Sequence, residues 1–328
     1  MKIKISELKR LVESKFIEKN ISPEIVEKIS DYLVWAEMSG KNTQGIVKMF
    51  GTEPLQDIVP QHEIKTERET PCSLLIDAGA NSSIYTSQLA TERVIEKAKF
   101  VGMAIVGVRN TFSSNGAQAY YLEQICKEGL IGFSCCRSPG AIAPFNSIDP
   151  LLGTNPMAFG FPTQDESIIF DMATSAITYY GLIVANDKGE KIDTNLAMDN
   201  TGEMTTNPKD AMDGAIYPFD QGYKSSNLAM MVELLSGPLL NSSYCDYKTF
   251  EEEWGSTFIA IDPNILLDLD DFKAKASDMA KTIKNSQTKD GDSVRLPGEN
   301  SRKIYEESLK TGEVEIDEIY LEKLGYKF

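Results

Sequence analysis

The 328 residues carry 33 Lys and Arg against 49 Asp and Glu, a formal net charge of −16, with 41% apolar and 25% charged residues. That acidity opposes binding to nucleic acid or to an anionic membrane, and no apolar run approaches the roughly 18 residues a membrane span needs. A single histidine, His62, stands in the whole chain, which excludes a histidine-based triad or a metal site built from several histidines.

The length suits one large or two medium domains. The opening stretch ISELKRLVESKFIEKN alternates charged and apolar residues and lacks an uninterrupted apolar core. It predicts an amphipathic helix rather than a signal peptide, hence a cytoplasmic protein. SPEIVEKISDYLVWAEMSG predicts a second helix, opened by Ser22-Pro23 with Glu24 and Glu27 near its positive end and followed by Gly40. His62 lies in a polar, proline-flanked stretch that reads as an exposed loop. SLLIDA is then a short strand, and SSIYTSQLATERVIEKAKFVG a helix capped by Ser82 or Ser83 and ended by Gly102.

The strand MAIVGVR runs into the turn NTFSSNGAQAYY, residues 110–121. Small hydroxyl and amide side chains fill this turn and leave backbone N–H groups available to an anion. No residue in it titrates near neutral pH. The helix AQAYYLEQICKEG and the strand LIGFSCC follow, with Cys135 and Cys136 expected in the core. The five cysteines show no metal-ligand spacing, so reduced thiols and no metal centre are expected. A turn-rich middle, RSPGAIAPFNSIDPLLGTNPMAFGFPTQDESIIFDMATSA, has the composition of a ligand cleft. GYKSSNLAMMVELLSGPL predicts a buried apolar helix, FIAIDP a strand, and DLDDFKAKASDMAKTIKN and SRKIYEESLKTG charged amphipathic helices. No G-x-G-x-x-G follows MAIVGVR, and no phosphate loop, nucleophile elbow or metalloprotease pattern appears. The residues alone support an α/β or α+β protein with a cleft for an anion or a cofactor.

Several segments resemble one family in order along the chain. LLGTNPMAFGFP at 151–162, FDMATS at 170–175, TTNP at 205–208 and LAMMVELLSG at 228–237 are similar to the type 2 malate/L-lactate dehydrogenases, which include ureidoglycolate dehydrogenase and diketogulonate reductase. AEMSGKNTQG resembles that family's N-terminal signature and VRLPGE at 294–299 its C-terminal one. The resemblance implies a mixed, non-Rossmann NAD(P)-binding sheet domain at about 76–264. A mainly helical domain would be formed by 1–75 plus 265–328. It also implies a homodimer that uses NAD or NADP to interconvert 2-oxo acids, or cyclic imine carboxylates, with 2-hydroxy or 2-amino acids.

The same resemblance assigns the site. Gln44 stands where the family has a catalytic histidine, Lys48 where it has a carboxylate-binding arginine, and Ser114 where it has a second histidine. Asp199 matches the aspartate that partners the first histidine. Ser113, Asn115, Gly116, Gly153, Thr154, Asn155, Asp171, Thr174, Ser175 and Lys224 match cofactor-side positions. A glycine pair expected after Pro144 reads Asn146-Ser147, and a glycine-flanked segment after Lys224 reads Ser225-Ser226-Asn227. A basic residue expected after DMATS is lost, with Tyr179, Tyr180 and Gly181 in its neighbourhood. Two readings follow. In one the protein is a divergent oxidoreductase with a relocated proton donor, from among Lys48, Tyr120, Tyr121, Tyr223 and Lys224, the helical tyrosines 120 and 121 reading as core residues. In the other the fold persists without redox chemistry, as a binding or partner subunit or a catalyst of a non-redox reaction.

Overall fold

The computed structural model describes residues 1–19, 21–58, 62–245, 247–249, 254–289 and 291–328. Strand β1 (Lys2–Lys4) runs into α1 (Ile5–Ser14), whose Leu8, Leu11 and Val12 form one buried stripe. Helix α2 (Pro23–Met38) begins where the sequence places it: the Ser22 hydroxyl accepts the Ile25 N–H, and Pro23 takes the first helical position. Strands β2 (Lys65–Thr70) and β3 (Ser73–Asp77) form a hairpin. Helix α3 (Ser83–Val101) ends at Gly102, with φ +90°, and carries the chain over to β4 (Met103–Thr111), which lies parallel to β3.

Helix α4 (Ala119–Lys127) leads to β5 (Ile131–Arg137), then β6 (Met157–Phe161) and β7 (Ile168–Met172). A smaller unit follows: α5 (Tyr179–Lys188), the short strands β8 (Ala197–Met198) and β9 (Met204–Thr205), α6 (Pro208–Asp213) and β10 (Ala215–Ile216). Helix α7 (Tyr223–Ser236) precedes β11 (Trp254–Ile261). The chain closes with α8 (Leu269–Lys284), α9 (Glu299–Thr311), β12 (Glu313–Glu315) and α10 (Glu318–Leu324).

The main sheet is mixed, in the order β2-β3-β4-β11-β5-β6-β7, with β3–β4 its parallel pair. β11 therefore arrives late in the chain and fills the centre, between β4 and β5, with Phe258 and Ala260 fully buried. The expected core cysteines, Cys135 and Cys136, are fully buried on β5. β1 pairs antiparallel with β12 and ties the two ends of the chain together. β2 and the start of β3 fall within residues 1–75 and belong to the main sheet. One buried cluster runs from Leu8 of α1 through Val94 of α3 and Phe258 of β11 to Tyr320 of α10.

The expectation of a buried α7 needs correction. Its inward face is Ser225, Ser226, Ala229, Val232, Glu233 and Ser236, while Met230, Met231 and Leu234 are 45%, 43% and 47% exposed. At a period of 3.6 residues the small side chains share one face and let the helix lie close to β5, so the bulky residues turn outward.

Candidate active site

The turn after β4 is shaped by three residues in the left-handed region, Asn110, Ser113 and Gly116. At Gly116 a side chain has no room: an added Cβ would lie 1.8 Å from the Tyr32 hydroxyl, which accepts the Ala117 N–H. Asn115 is held on three sides. Its amide donates to Ser256 Oγ (3.1 Å), its Oδ1 accepts from Gln118 Nε2 (3.0 Å), and its carbonyl accepts from the Tyr121 hydroxyl (2.7 Å). Tyr121 is thus a core residue, as expected, and Tyr120 packs edge-on against Trp35 and Tyr32 with burial pushing its hydroxyl up to about 12. Neither suits the part of a proton donor.

The group that titrates near neutral pH comes from 66 residues earlier. Lys48, on the short 3-10 helix Ile46–Met49, is fully buried, and its Nζ donates to Ser114 Oγ at 2.8 Å. Ser114 Oγ in turn accepts the Gly116 N–H. The Tyr180 ring covers the ammonium, its centroid 3.7 Å away. Burial lowers Lys48 from 10.5 to about 7, with Cys136 and Glu53 opposing the shift. Glu53 is anchored by Trp254, whose Nε1 donates to Oε2 at 2.5 Å.

Glu37 sets the position of the lysine-bearing segment. It is 5% exposed, and its Oε1 accepts the Ile46 N–H at 2.6 Å. Gly45 makes room for it, since an added Cβ would stand 2.1 Å from Oε1. Burial raises the Glu37 carboxyl from 4.5 to about 8. A carboxyl raised on folding holds its proton in the native state, so its contribution is complete below about 4.5 and is lost as pH climbs through about 8. Glu37→Gln is therefore expected to flatten the fall in stability between about pH 5 and about pH 9 seen in the parent, read as urea midpoints.

These groups meet in a cleft of about 590 Å³. Of the residues assigned from the sequence, Gln44, Lys48, Ser114, Asn115, Gly116, Thr154 and Asp171 line it. Asp171 accepts the Ala119 N–H (3.1 Å) and pairs with Lys41 (3.5 Å). Others stand behind the wall. Thr174 Oγ1 lies 3.1 Å from the carbonyls of Thr154 and Asn155, tying the DMATS and LGTNP segments together. Asn155 donates to the Ala229 carbonyl and to Glu233. A Cβ on Gly153 would strike Ser138 Oγ, which accepts the Thr154 N–H. Ser113 is buried beneath the turn, its carbonyl accepting from Ser83 Oγ. Ser175, also buried, bridges to Pro218.

Two assigned residues are not brought in. Asp199 closes a turn between β8 and β9, its Oδ1 accepting from the Thr201 N–H and hydroxyl and the Glu203 N–H, bonds that hold its carboxyl below the usual range. Lys224 is exposed at the start of α7, next to the exposed Tyr223. His62 is exposed and also lies outside the cleft. Among the described residues no three His, Cys, Asp or Glu side chains gather as metal ligands.

Glu37, Glu53, Lys41 and Trp254 escaped the sequence reading. The one available signal was Glu37, an acid within the otherwise apolar run LVWAEM. The replaced glycines prove benign. Asn146 adopts φ +68°, a conformation asparagine tolerates, and Ser226 Oγ accepts the Phe145 N–H at 2.9 Å, so the two altered segments bind each other. Neither lines the cleft.

The cleft fits a nicotinamide dinucleotide. Its volume is that of a cofactor site, and Ser114, Ser138, Thr154 and Asp171 supply polar wall on both sides. Two buried polar atoms of its motifs, Asn155 Oδ1 and Ser175 Oγ, have no hydrogen-bond partner within the protein.

A family-wide sequence model described as malate/L-lactate dehydrogenase matches residues 3–325. The malate/(S)-sulfolactate dehydrogenase of Methanothermus fervidus is 31% identical over 314 residues, 93% of this chain and 90% of that protein. Among solved structures, malate dehydrogenase from Entamoeba histolytica aligns with a TM-score of 0.90 at 24% identity, over 99% of this chain and 96% of that one, a likeness of fold. Δ1-piperideine-2-carboxylate reductase from Pseudomonas syringae pvar. tomato aligns with a TM-score of 0.85 at 25% identity, over 99% of this chain and 98% of the other.

Proposed function

The chain belongs to the malate/L-lactate dehydrogenase family, whose members are oxidoreductases of carboxylates, and from that premise we propose that it is an NAD(P)-dependent enzyme. It would reduce a small 2-oxo acid or cyclic imine carboxylate to the 2-hydroxy or 2-amino acid. The observation that carries this reading is the buried Lys48–Ser114 pair inside the cleft. A bound nicotinamide supplies the hydride. The protein must hold the substrate carboxylate and, for a ketone, deliver a proton to the nascent alkoxide.

Lys48 suits both tasks. In a 2-oxo acid the carbonyl oxygen and a carboxylate oxygen lie side by side, and an ammonium has three donors to share between them. It lacks the two-pronged fork of arginine, but Ser114 on one side and the Tyr180 ring on the other fix its position. Gln44, also on the cleft wall, adds an amide that orients without titrating. Asn115, Gly116, Thr154, Asp171 and Ser138 would hold the cofactor.

Calorimetric titration with NADH and NADPH tests the reading. Micromolar binding of either supports it; the lack of binding at millimolar concentration of both overturns it in favour of a non-redox member of the fold.

We also take the protein to be a homodimer. Met230, Met231 and Leu234 on α7, with Leu239 beyond it at 56% exposure, leave an apolar strip on the surface. Sedimentation should give twice the chain mass, and Met231→Asp with Leu234→Lys should give the monomer. Placement in the cytoplasm belongs to the same reading, which the five free cysteines support. Among the described residues no helix is long and apolar enough to cross a membrane.

A further inference from the structure

Lys48 shares the cleft with other charges. Among the described residues that line it there are two cations, Lys41 and Lys48, and two carboxylates, Glu53 and Asp171. Lys41 and Asp171 face each other at 3.5 Å. Lys48 and Glu53 are the other pair: the carboxylate acts on the ammonium and on the Tyr180 ring that covers it. Both are held in place, Lys48 by Ser114 and Glu53 by the Trp254 indole.

A carboxylate beside the cation that holds the substrate is ill suited to a ligand that carries only negative charge. The cleft's charges balance, so a dianion finds no surplus of cation and is repelled by Glu53. A ligand with a positive and a negative group on adjacent carbons has the opposite relation to this pair.

We propose that Lys48 and Glu53 together read a zwitterion: the preferred substrate is a 2-imino acid, its carboxylate against Lys48 and its protonated C=N nitrogen against Glu53. Two-oxo dicarboxylates and sulfonated 2-oxo acids are disfavoured. This rests on the oxidoreductase reading. The carbon of the C=N bond gains the hydride of the reduced cofactor, the C=N π pair moves to nitrogen, and the iminium becomes a neutral amine that takes its next proton from water. No side chain has to surrender a proton during hydride transfer, in keeping with a cleft whose walls hold no histidine among the described residues. Lys48 keeps its proton and serves as the carboxylate anchor. Glu53 is a specificity residue that contacts the substrate nitrogen.

Glu53→Gln removes the charge and keeps an acceptor for the Trp254 indole, so it isolates the proposed role. The substrates are Δ1-piperideine-2-carboxylate, pyruvate and oxaloacetate with NADH or NADPH. The parent should prefer the imine to pyruvate and pyruvate to oxaloacetate. In Glu53→Gln the imine-to-pyruvate ratio of kcat/KM should fall roughly 10–100-fold, the worth of one charge-assisted hydrogen bond, and oxaloacetate should gain on pyruvate. A second readout needs no turnover: calorimetry of the cofactor-free protein should show L-pipecolate weakened more than L-lactate by the same substitution. Equal losses for every substrate and ligand would mark Glu53 as merely structural and overturn the proposal. Cofactor binding with turnover of 2-oxo acids alone would overturn it and leave the oxidoreductase reading standing. Lack of any cofactor binding would overturn both.

Discussion

Replacing Lys48 with alanine is expected to lower kcat/KM by about 10²–10⁴-fold, the usual worth of a positioned proton donor or a buried charged anchor. The active form is the ammonium, which binds the carboxylate. Burial lowers its pKa to about 7, so kcat/KM should fall as pH rises through about 7. In the Michaelis complex the substrate's negative charge favours the ammonium, and the corresponding limb of kcat should lie at higher pH. Lys48→Arg separates charge from geometry. The guanidinium stays protonated, so the alkaline limb should vanish, while the loss of the 2.8 Å contact to Ser114 lowers kcat. An arginine variant that kept the limb near 7 would assign it to another group.

Stability provides an independent check on the same residue. A lysine whose pKa drops on folding burdens the native state fully below about 7, and the burden lifts as pH rises toward 10.5. Lys48→Met fills the same space without charge and should therefore melt no lower than the parent at pH 6, about one unit below the shifted pKa. Catalysis lost together with unchanged or improved folding is the pattern of a group retained for its chemistry.

What the sequence made legible was local. Ser22 and Pro23 start a helix and Gly102 ends one because caps act within a turn. The apolar runs before and after residues 110–121 became β4 and β5, as strands buried on both faces should. The place of β11 between them left no local mark, because its partners lie more than a hundred residues earlier. The site divides in the same way. Lys48, Gln44 and Ser114 were assigned through the resemblance, and the structure brings them to one cleft. Nothing in residues 110–121 discloses that their titrating partner is Lys48, since the contact exists only once the short 3-10 helix has folded against the turn. Glu37, which holds that helix, and Glu53, which faces the lysine, read in sequence as ordinary acids in a chain that has 49 of them. Asp199 shows the converse. Its match to a family position was clear, but the hydrogen bonds around it are those of a turn.

Glu233→Ala should be the most damaging substitution to stability, at about 3–5 kcal/mol. The motif MVELLSG places this acid in the middle of α7, where it is 3% exposed. Its Oε1 accepts from Arg137 Nε at 3.2 Å and from the Cys245 N–H at 3.0 Å, and its Oε2 accepts from Asn155 Nδ2 at 2.7 Å. One side chain thus joins the end of β5, the LGTNP loop and the segment after α7. Alanine would leave the fully buried guanidinium of Arg137 without this carboxylate, and an uncompensated buried charge costs more than the intact pair contributes. The double variant Arg137→Met with Glu233→Leu should consequently be less destabilised than Glu233→Ala alone, a non-additivity readable in urea midpoints. A double variant as unstable as the sum of its singles would show that the two charges act independently. Function should follow position: Asn155 adjoins Thr154 on the cleft wall, so the double variant, though folded, should bind NAD(P)H more weakly through the loosened LGTNP loop. That outcome would explain why an acid sits in an apolar helix that touches no ligand. Its task is to fix the loop that does.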